Sequence, residues 1–224
     1  MKNEGPQVNE VHLDTLRELA NIGVGNAATA LSKMLGEETI NMKVPQVAVE
    51  QLQEVPEHLG DPEDPVSGVY FEAYNRDEDI TLIFLFVLPL DSVNHLIHKL
   101  LPQGKGCHES AFNGENADAS EDALDMGEME LSMLMEVGNI VAGGYLSALS
   151  FMTNLTLLSS PPQMAVDMSG AIVGTVIAET RLVDEYLILL KTTIHSEHHA
   201  LEGNVLILPD EGSLNRIFKL LGIE

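Results

Sequence analysis

"ELANIGVGNAATALSKM" (residues 18–34) and "EVGNIVAGGYLSALSFM" (residues 136–152) run in one register, and that agreement decides how the chain folds. Glu18 aligns with Glu136, Asn21 with Asn139, Gly25 with Gly143 and Ser32 with Ser150, all at an offset of 118 residues. The echo continues downstream. "VPQVAVE" (44–50) returns as "PPQMAVD" (161–167), and "LPLDSVNHLIHKLL" (88–101) as "LPDEGSLNRIFKLL" (208–221). Three segments repeated in one order mark an internal duplication. Two copies are too few for a solenoid, whose units are stabilised by stacking on neighbours. The expected fold class is α+β: an internally duplicated, pseudo-two-fold unit with antiparallel strands and one helical layer carrying both long segments.

Each copy reads as helix, strands, helix. Asp14 is the expected N-cap of the first helix, with Gly36 just past its end. Strands are expected at 43–50, 68–75 and 80–88, separated by the turn sequences "GDPEDP" and "NRDED". The second copy suggests strands at 162–168, 171–180, 185–195 and 204–208. Pro89 and Pro209 mark where a strand stops and a short closing helix begins, and short polar turns favour antiparallel pairing. The repeats span 10–102 and 129–222. Between them, 103–128 is polar, acidic and glycine-containing, as expected of a flexible, solvated linker.

Composition narrows the function. The chain has 224 residues, 45% of them hydrophobic, enough for a folded core, and aromatics are only 4% with no Trp, so aliphatic side chains must build that core. Eleven basic against 35 acidic residues give a formal charge of −24. Such a surface repels nucleic-acid phosphates and anionic lipid, although adaptation to high salt would produce the same excess. One cysteine, Cys107, excludes an internal disulfide and fits a reducing compartment. The longest apolar run, Ile80 to Leu90, is strand-sized and well short of the ~18 residues of a membrane span. The polar N-terminus carries no apolar signal segment, and a cytoplasmic location is expected.

At 100° per residue the first helix sorts into two faces. Leu16, Leu19, Ala20, Ala27, Ala30, Leu31 and Met34 form a core stripe. Asp14, Glu18, Asn21, Gly25, Ala28, Thr29 and Ser32 fall opposite, and the second copy matches them with Ser132, Glu136, Asn139, Gly143, Ser147 and Ser150. A helical Gly costs about 1 kcal/mol against Ala, and Asn roughly half that. Glycines alone would be explained by close approach of another helix. Packing, however, would leave the polar pair free to drift, whereas Glu and Asn recur together at one spacing. The alternative is a flat landing surface with Glu and Asn standing proud of it.

"LRELANIGVGNAATALSKMLG" and "MEVGNIVAGGYLSALS", followed by "PPQMAVDMSGAI", resemble the CheC family of chemotaxis phosphatases, related to CheX and the phosphatase part of FliY. The resemblance covers about residues 10–222. It implies two related halves, each exposing on its long helix an active site for the phosphorylated response regulator CheY, and a second partner, the deamidase CheD. Carried over, Asp14, Glu18, Asn21 and Gly25 form one site and Ser132, Glu136, Asn139 and Gly143 the other. The copies differ at Ala20 against Gly138 and at Asn26 against Gly144, off the catalytic pair.

The implied chemistry suits these groups. An aspartyl phosphate leaves as a carboxylate and needs no general acid. What remains is to place a water in line with phosphorus, a role for Asn21 and Asn139. Glu18 and Glu136, one helical turn away, would pair with the regulator's phosphoryl-binding Lys, while Ile22 and Ile140 add apolar contact. Mg²⁺ is expected on the regulator, so the chain needs no metal or cofactor of its own. The rival reading is a non-catalytic scaffold for CheD or a flagellar switch component. Other features weigh less: "HSEHH" (195–199) reads as a solvated turn, and His95 and His98 lack a third ligand. Cys107 has few basic neighbours, and "GVGNAA" lies inside a helix rather than at a phosphate loop.

Overall fold

The two repeated segments are two long helices, α1 (Glu10–Met34) and α4 (Glu128–Thr153), which begin 118 residues apart. The computed structural model describes residues 8–34, 40–100, 126–180, 186–195, 200–210 and 212–223. Gly36, Cys107, the linker through residue 125 and residues 196–199 lie outside the described residues, as does the side chain of His98. The cap of α1 is Asn9 rather than Asp14. Its side-chain oxygen accepts the N–H groups of Val11 (2.9 Å) and His12 (3.1 Å), satisfying donors that the first turn cannot. Asp14 sits one turn into the helix and pairs with Arg17 at 2.5 Å. At the matching start of α4, the N–H of Gly127 donates to the Glu130 carboxylate at 2.8 Å. Asn154, left-handed at φ 56°, closes that helix.

The first copy continues through β1 (Asn41–Gln51), a 3₁₀ turn (Leu52–Glu54), α2 (Val55–Leu59), β2 (Pro65–Asn75), β3 (Ile80–Pro89) and α3 (Leu90–Leu100). After α4 come the two-residue β4 (Leu158–Ser159), β5 (Gln163–Met168), α5 (Ser169–Thr180), β6 (Tyr186–His195), β7 (Ala200–Pro209) and α6 (Ser213–Leu220). The segment 171–180, read above as a strand for its β-branched residues, is therefore helical. It buries Ile172, Val173 and Val176, a spacing that follows a helical period and not strand alternation. In the repeat it stands where the 3₁₀ turn and α2 stand in the first copy.

All strands pair antiparallel, in the order β1-β6-β7-β3-β2, with β5 and β4 sharing the outer edge of β2. The two-fold relation falls between β7 and β3, the last strand of each copy, where Phe84 faces Ile207. Each copy's first strand pairs with the other copy: β1 with β6 (Val47 opposite Leu190) and β5 with β2 (Val66 opposite Asp167). The halves thus exchange edge strands. In β1 the register slips between Lys43 and Gln46, around Pro45, which has no N–H for the ladder.

Helices cover both sheet faces, not one. Phe71, Phe84, Phe86, Leu190 and Ile207 pack with α1, α4, α3 and α6. On the reverse face Ile83, Leu85, Leu187 and Leu206 pack with α2 and α5. The central β3 is buried on both sides, which is why "ITLIFLFVLP" reads as one apolar run.

Close approach of α1 to α4 depends on glycine. A Cβ on Gly144 would lie 2.6 Å from the carbonyl oxygen of Gly23, and one on Gly23 would lie 2.6 Å from the ring of Tyr145. Gly138 seats α4 on β2, where a Cβ would come within 2.5 Å of Val69 Cβ. Tyr145 is fully buried with its hydroxyl 3.0 Å from that of Thr192 on β6. Burial pushes its pKa up to about 12, with the Thr192 hydrogen bond acting in the opposite direction.

Candidate functional site

With one side of each long helix committed to the sheet and to its sister helix, the other side forms a row in solvent. On α1, Asp14, Glu18, Asn21 and Gly25 are exposed, with Ile22 half-buried beside them. On α4, Ser132, Glu136 and Asn139 are exposed, with Ile140 and Gly143 half-buried. Glu and Asn three residues apart lie about 4.5 Å apart along the axis and point to neighbouring sides of one ridge. Ile22 and Ile140 also pack against the core cluster, so they anchor the row from below. Met34, assigned above to the core stripe, is instead 37% exposed, and Ala30 is half-buried.

The structure separates two kinds of glycine in the repeated motif. Gly23, Gly138 and Gly144 are buried where a long helix packs tightly on its sister helix or on the sheet. At Gly25 and Gly143, by contrast, an added Cβ would meet nothing within 4 Å. No contact within the described chain requires glycine at those two positions. Close packing explains the first set and leaves the second to a different cause.

Among the described residues, no hydrogen bond or ion pair engages the side chains of Glu18, Asn21, Glu136 or Asn139. Each carboxylate is left as an acceptor for an incoming cation, and each amide as both donor and acceptor for a water or partner. The two rows are not identical. Asp14 is tied to Arg17, which also lies 3.8 Å from Glu10, whereas its counterpart Ser132 is uncharged. In α1 the Thr29 hydroxyl donates to the carbonyl of Gly25 at 2.9 Å.

Two clefts formed by described residues lie away from both rows. One cleft of about 320 Å³ is bordered by His58, Lys191, Thr193, Glu202 and Asn204, and another of about 430 Å³ by Glu72, Arg76 and Asp79. A row of side chains exposed along one helix can meet the surface of a macromolecule, whereas small ligands are normally enclosed.

Two features escaped sequence reading. Val11 and Met129 continue the rows toward the helix starts and are exposed; placing the cap at Asp14 excluded Val11 from the helix. Glu50, Glu54 and His58, whose ligand-type atoms lie within 4.8 Å of one another, straddle a strand, a 3₁₀ turn and α2. Their four-residue spacing crosses an element boundary, so no single periodicity signals it. His58 Nε2 lies 3.5 Å from Glu50 Oε2. Of the histidines weighed above, His95 uses Nδ1 to bond the Asp91 carbonyl of its own helix at 2.7 Å.

Comparisons with known proteins follow the same duplicated segments. A model of the CheC-like family matches residues 11–49 and 129–165, two stretches that start 118 residues apart. The CheY-P phosphatase CheC of Bacillus subtilis (strain 168) is 30% identical over 217 residues, covering 96% of each chain. Thermotoga maritima FliY has the same fold, with a TM-score of 0.72 at 19% identity over 97% of this chain and 98% of the other. FliM from H. pylori, solved in a complex with SpeE, gives a TM-score of 0.64 at 14% identity over 96% of this chain and 97% of the other.

Proposed function

The chain belongs to the CheC-like family, and from that premise we propose that it hydrolyses the aspartyl phosphate of a phosphorylated CheY-type response regulator at two sites, one on each long helix. The observation that carries this reading is the doubled Glu/Asn pair, exposed, without partners among the described residues and each followed by a glycine over open space. The activity named for the Bacillus subtilis relative supports it at the level of the family.

In this mechanism the regulator supplies the phosphoryl group, its Mg²⁺ and its phosphoryl-binding Lys. Glu18 or Glu136 pairs with that Lys, fixing the ridge over the phosphate. Asn21 or Asn139 then lies one turn away and holds a water in line with phosphorus by a hydrogen bond from the amide. An amide is too weak a base to take the proton outright, so its contribution is orientation. That suffices because the leaving aspartate is already a good leaving group and charge stabilisation comes from the regulator's metal and Lys. Gly25 and Gly143 let the regulator's loops approach the helix backbone.

The test is loss of phosphate from a radiolabelled CheY-type regulator in the presence of wild type, Asn21→Ala, Asn139→Ala and the double variant. Each single change is expected to slow the reaction and the double change to return it to the regulator's own rate. A double variant as fast as wild type refutes the mechanism. Wild type that binds the regulator without accelerating phosphate loss favours the scaffold reading. Family resemblance also supports the deamidase CheD as a second partner, a pairing that co-purification of the two chains tests.

A further inference from the structure

Val11 and Met129 occupy the same place in the two repeats, and each is 59% exposed. Isolated exposed apolar residues are ordinary. Here, however, the duplication has placed a large apolar side chain twice, at the second position of each long helix, with the same exposure. The capping motif does not explain it. A hydrophobic staple uses the residue before the cap and the fourth helical residue, and those positions hold Val8 and Leu13 in one copy, Met126 and Leu131 in the other. The first turn of a helix also favours acidic side chains. A chain with 35 Asp and Glu has nonetheless placed an apolar residue there in both copies.

Helical geometry aligns these residues with the proposed catalytic rows. Val11 precedes Glu18 by seven residues, which is about 10 Å along the axis and only about 20° around it; the same holds for Met129 and Glu136. The distance to Asn21 or Asn139 is about 15 Å. A standard protein interface buries roughly 800 Å² per partner, a disc of roughly 16 Å radius. A regulator centred on the Glu/Asn pair therefore reaches the apolar residue at the edge of its footprint.

We propose that Val11 and Met129 are apolar docking contacts for the phosphorylated response regulator, one per site, which position it over the Glu/Asn pair. This inference rests on the function proposed above. Glu18 and Glu136 supply a screened electrostatic contact, while Val11 and Met129 supply area removed from water whose strength does not fall with salt. Both are held rigidly, because capping by Asn9 and by the Gly127–Glu130 bond fixes the first turn.

The experiment measures the Kd of the full chain for a beryllofluoride-activated CheY-type regulator by fluorescence anisotropy, together with KM and kcat for dephosphorylation. The variants are Val11→Ser/Met129→Ser and the conservative Val11→Leu/Met129→Leu. The Ser pair is expected to weaken Kd and raise KM about tenfold, the value of one apolar side chain of this size, with kcat reduced much less. The Leu pair is expected to retain wild-type affinity. If wild type is active and the Ser pair binds within twofold of it, the inference is overturned while the proposed function stands. If wild type neither binds nor dephosphorylates the regulator, both fall. If light scattering shows a wild-type dimer that the Ser pair dissociates while regulator affinity is unchanged, the face belongs to a second copy, and the inference is overturned.

Discussion

Substituting alanine at each of the motif glycines separates their two roles. At Gly25 and Gly143 the helix is regular and a Cβ meets nothing within 4 Å, so Ala gains helix propensity without a steric cost. That gain is about 1 kcal/mol per site. For a chain of this length 1 kcal/mol moves Tm by about 2–4 °C, so the Gly25→Ala/Gly143→Ala variant is expected to melt about 4–8 °C higher. Gly138→Ala gains the same propensity but places a Cβ 2.5 Å from Val69 Cβ and 2.7 Å from both its γ carbons. Val69 is fixed in β2 and cannot rotate away from a contact at its own Cβ. Relief requires shifting α4 off the sheet, at an overpacking cost of about 1–3 kcal/mol or more. Gly138→Ala is therefore expected to melt lower than wild type. Thermal denaturation and phosphate release from the regulator are measured on the same preparations. The Gly25/Gly143 variant is expected to be more stable and slower, because each new methyl stands where the partner's loops approach. A fall in its Tm refutes the open-space argument. A raised Tm with full activity refutes the claim that these glycines are kept for the partner.

Other outcomes follow from the core and the charge. Tyr145→Phe removes the hydroxyl bonded to Thr192 and is expected to cost about 1 kcal/mol at neutral pH, read from the urea midpoint. The folded pKa is about 12 against an ordinary 10.0, so the folded state holds this proton where the unfolded chain releases it. That contribution is complete below pH 10 and is lost as pH rises toward 12; the variant's stability should fall less over that window, and parallel curves would contradict the assignment. With a net charge of −24, self-repulsion destabilises the compact state, so adding salt from a low ionic strength should raise Tm. Regulator binding should weaken over the same range if Glu18 and Glu136 pair with a Lys; affinity independent of salt would argue against that pairing.

The repeat made the architecture legible because the same residues recur at one offset, and the polar pair stood out because nothing about packing required it. The misreadings have local causes. Residues 171–180 are rich in Val, Ile and Thr, and propensity for strands is a weak guide when one helical stripe, here Ile172, Val173 and Val176, is what the sheet accepts. Asn9 and Asp14 are equally acceptable cap residues by type, and only hydrogen-bond geometry identifies Asn9 as the cap. A cap placed five residues late, at Asp14, leaves Val11 outside the helix. Exchange of edge strands was not readable either, since a strand's composition records that it is paired and not which copy it pairs with.

The strand exchange also bears on how catalysis can be carried by this fold. β1 and β5 complete each other's half of the sheet, and the long helices touch through Gly23, Gly144 and Tyr145, so neither repeat can be lost without dismantling the other. None of these packing positions coincides with Glu18, Asn21, Gly25 or their counterparts in the second copy. The rows contribute little to the core, and their glycines lower helix stability. A chain of this fold can therefore lose one row, or both, without unfolding, so the fold itself carries no guarantee of activity. In this chain both rows carry a Glu, an Asn and a Gly that packing does not ask for, and the phosphatase reading proposed above is the one that accounts for them together.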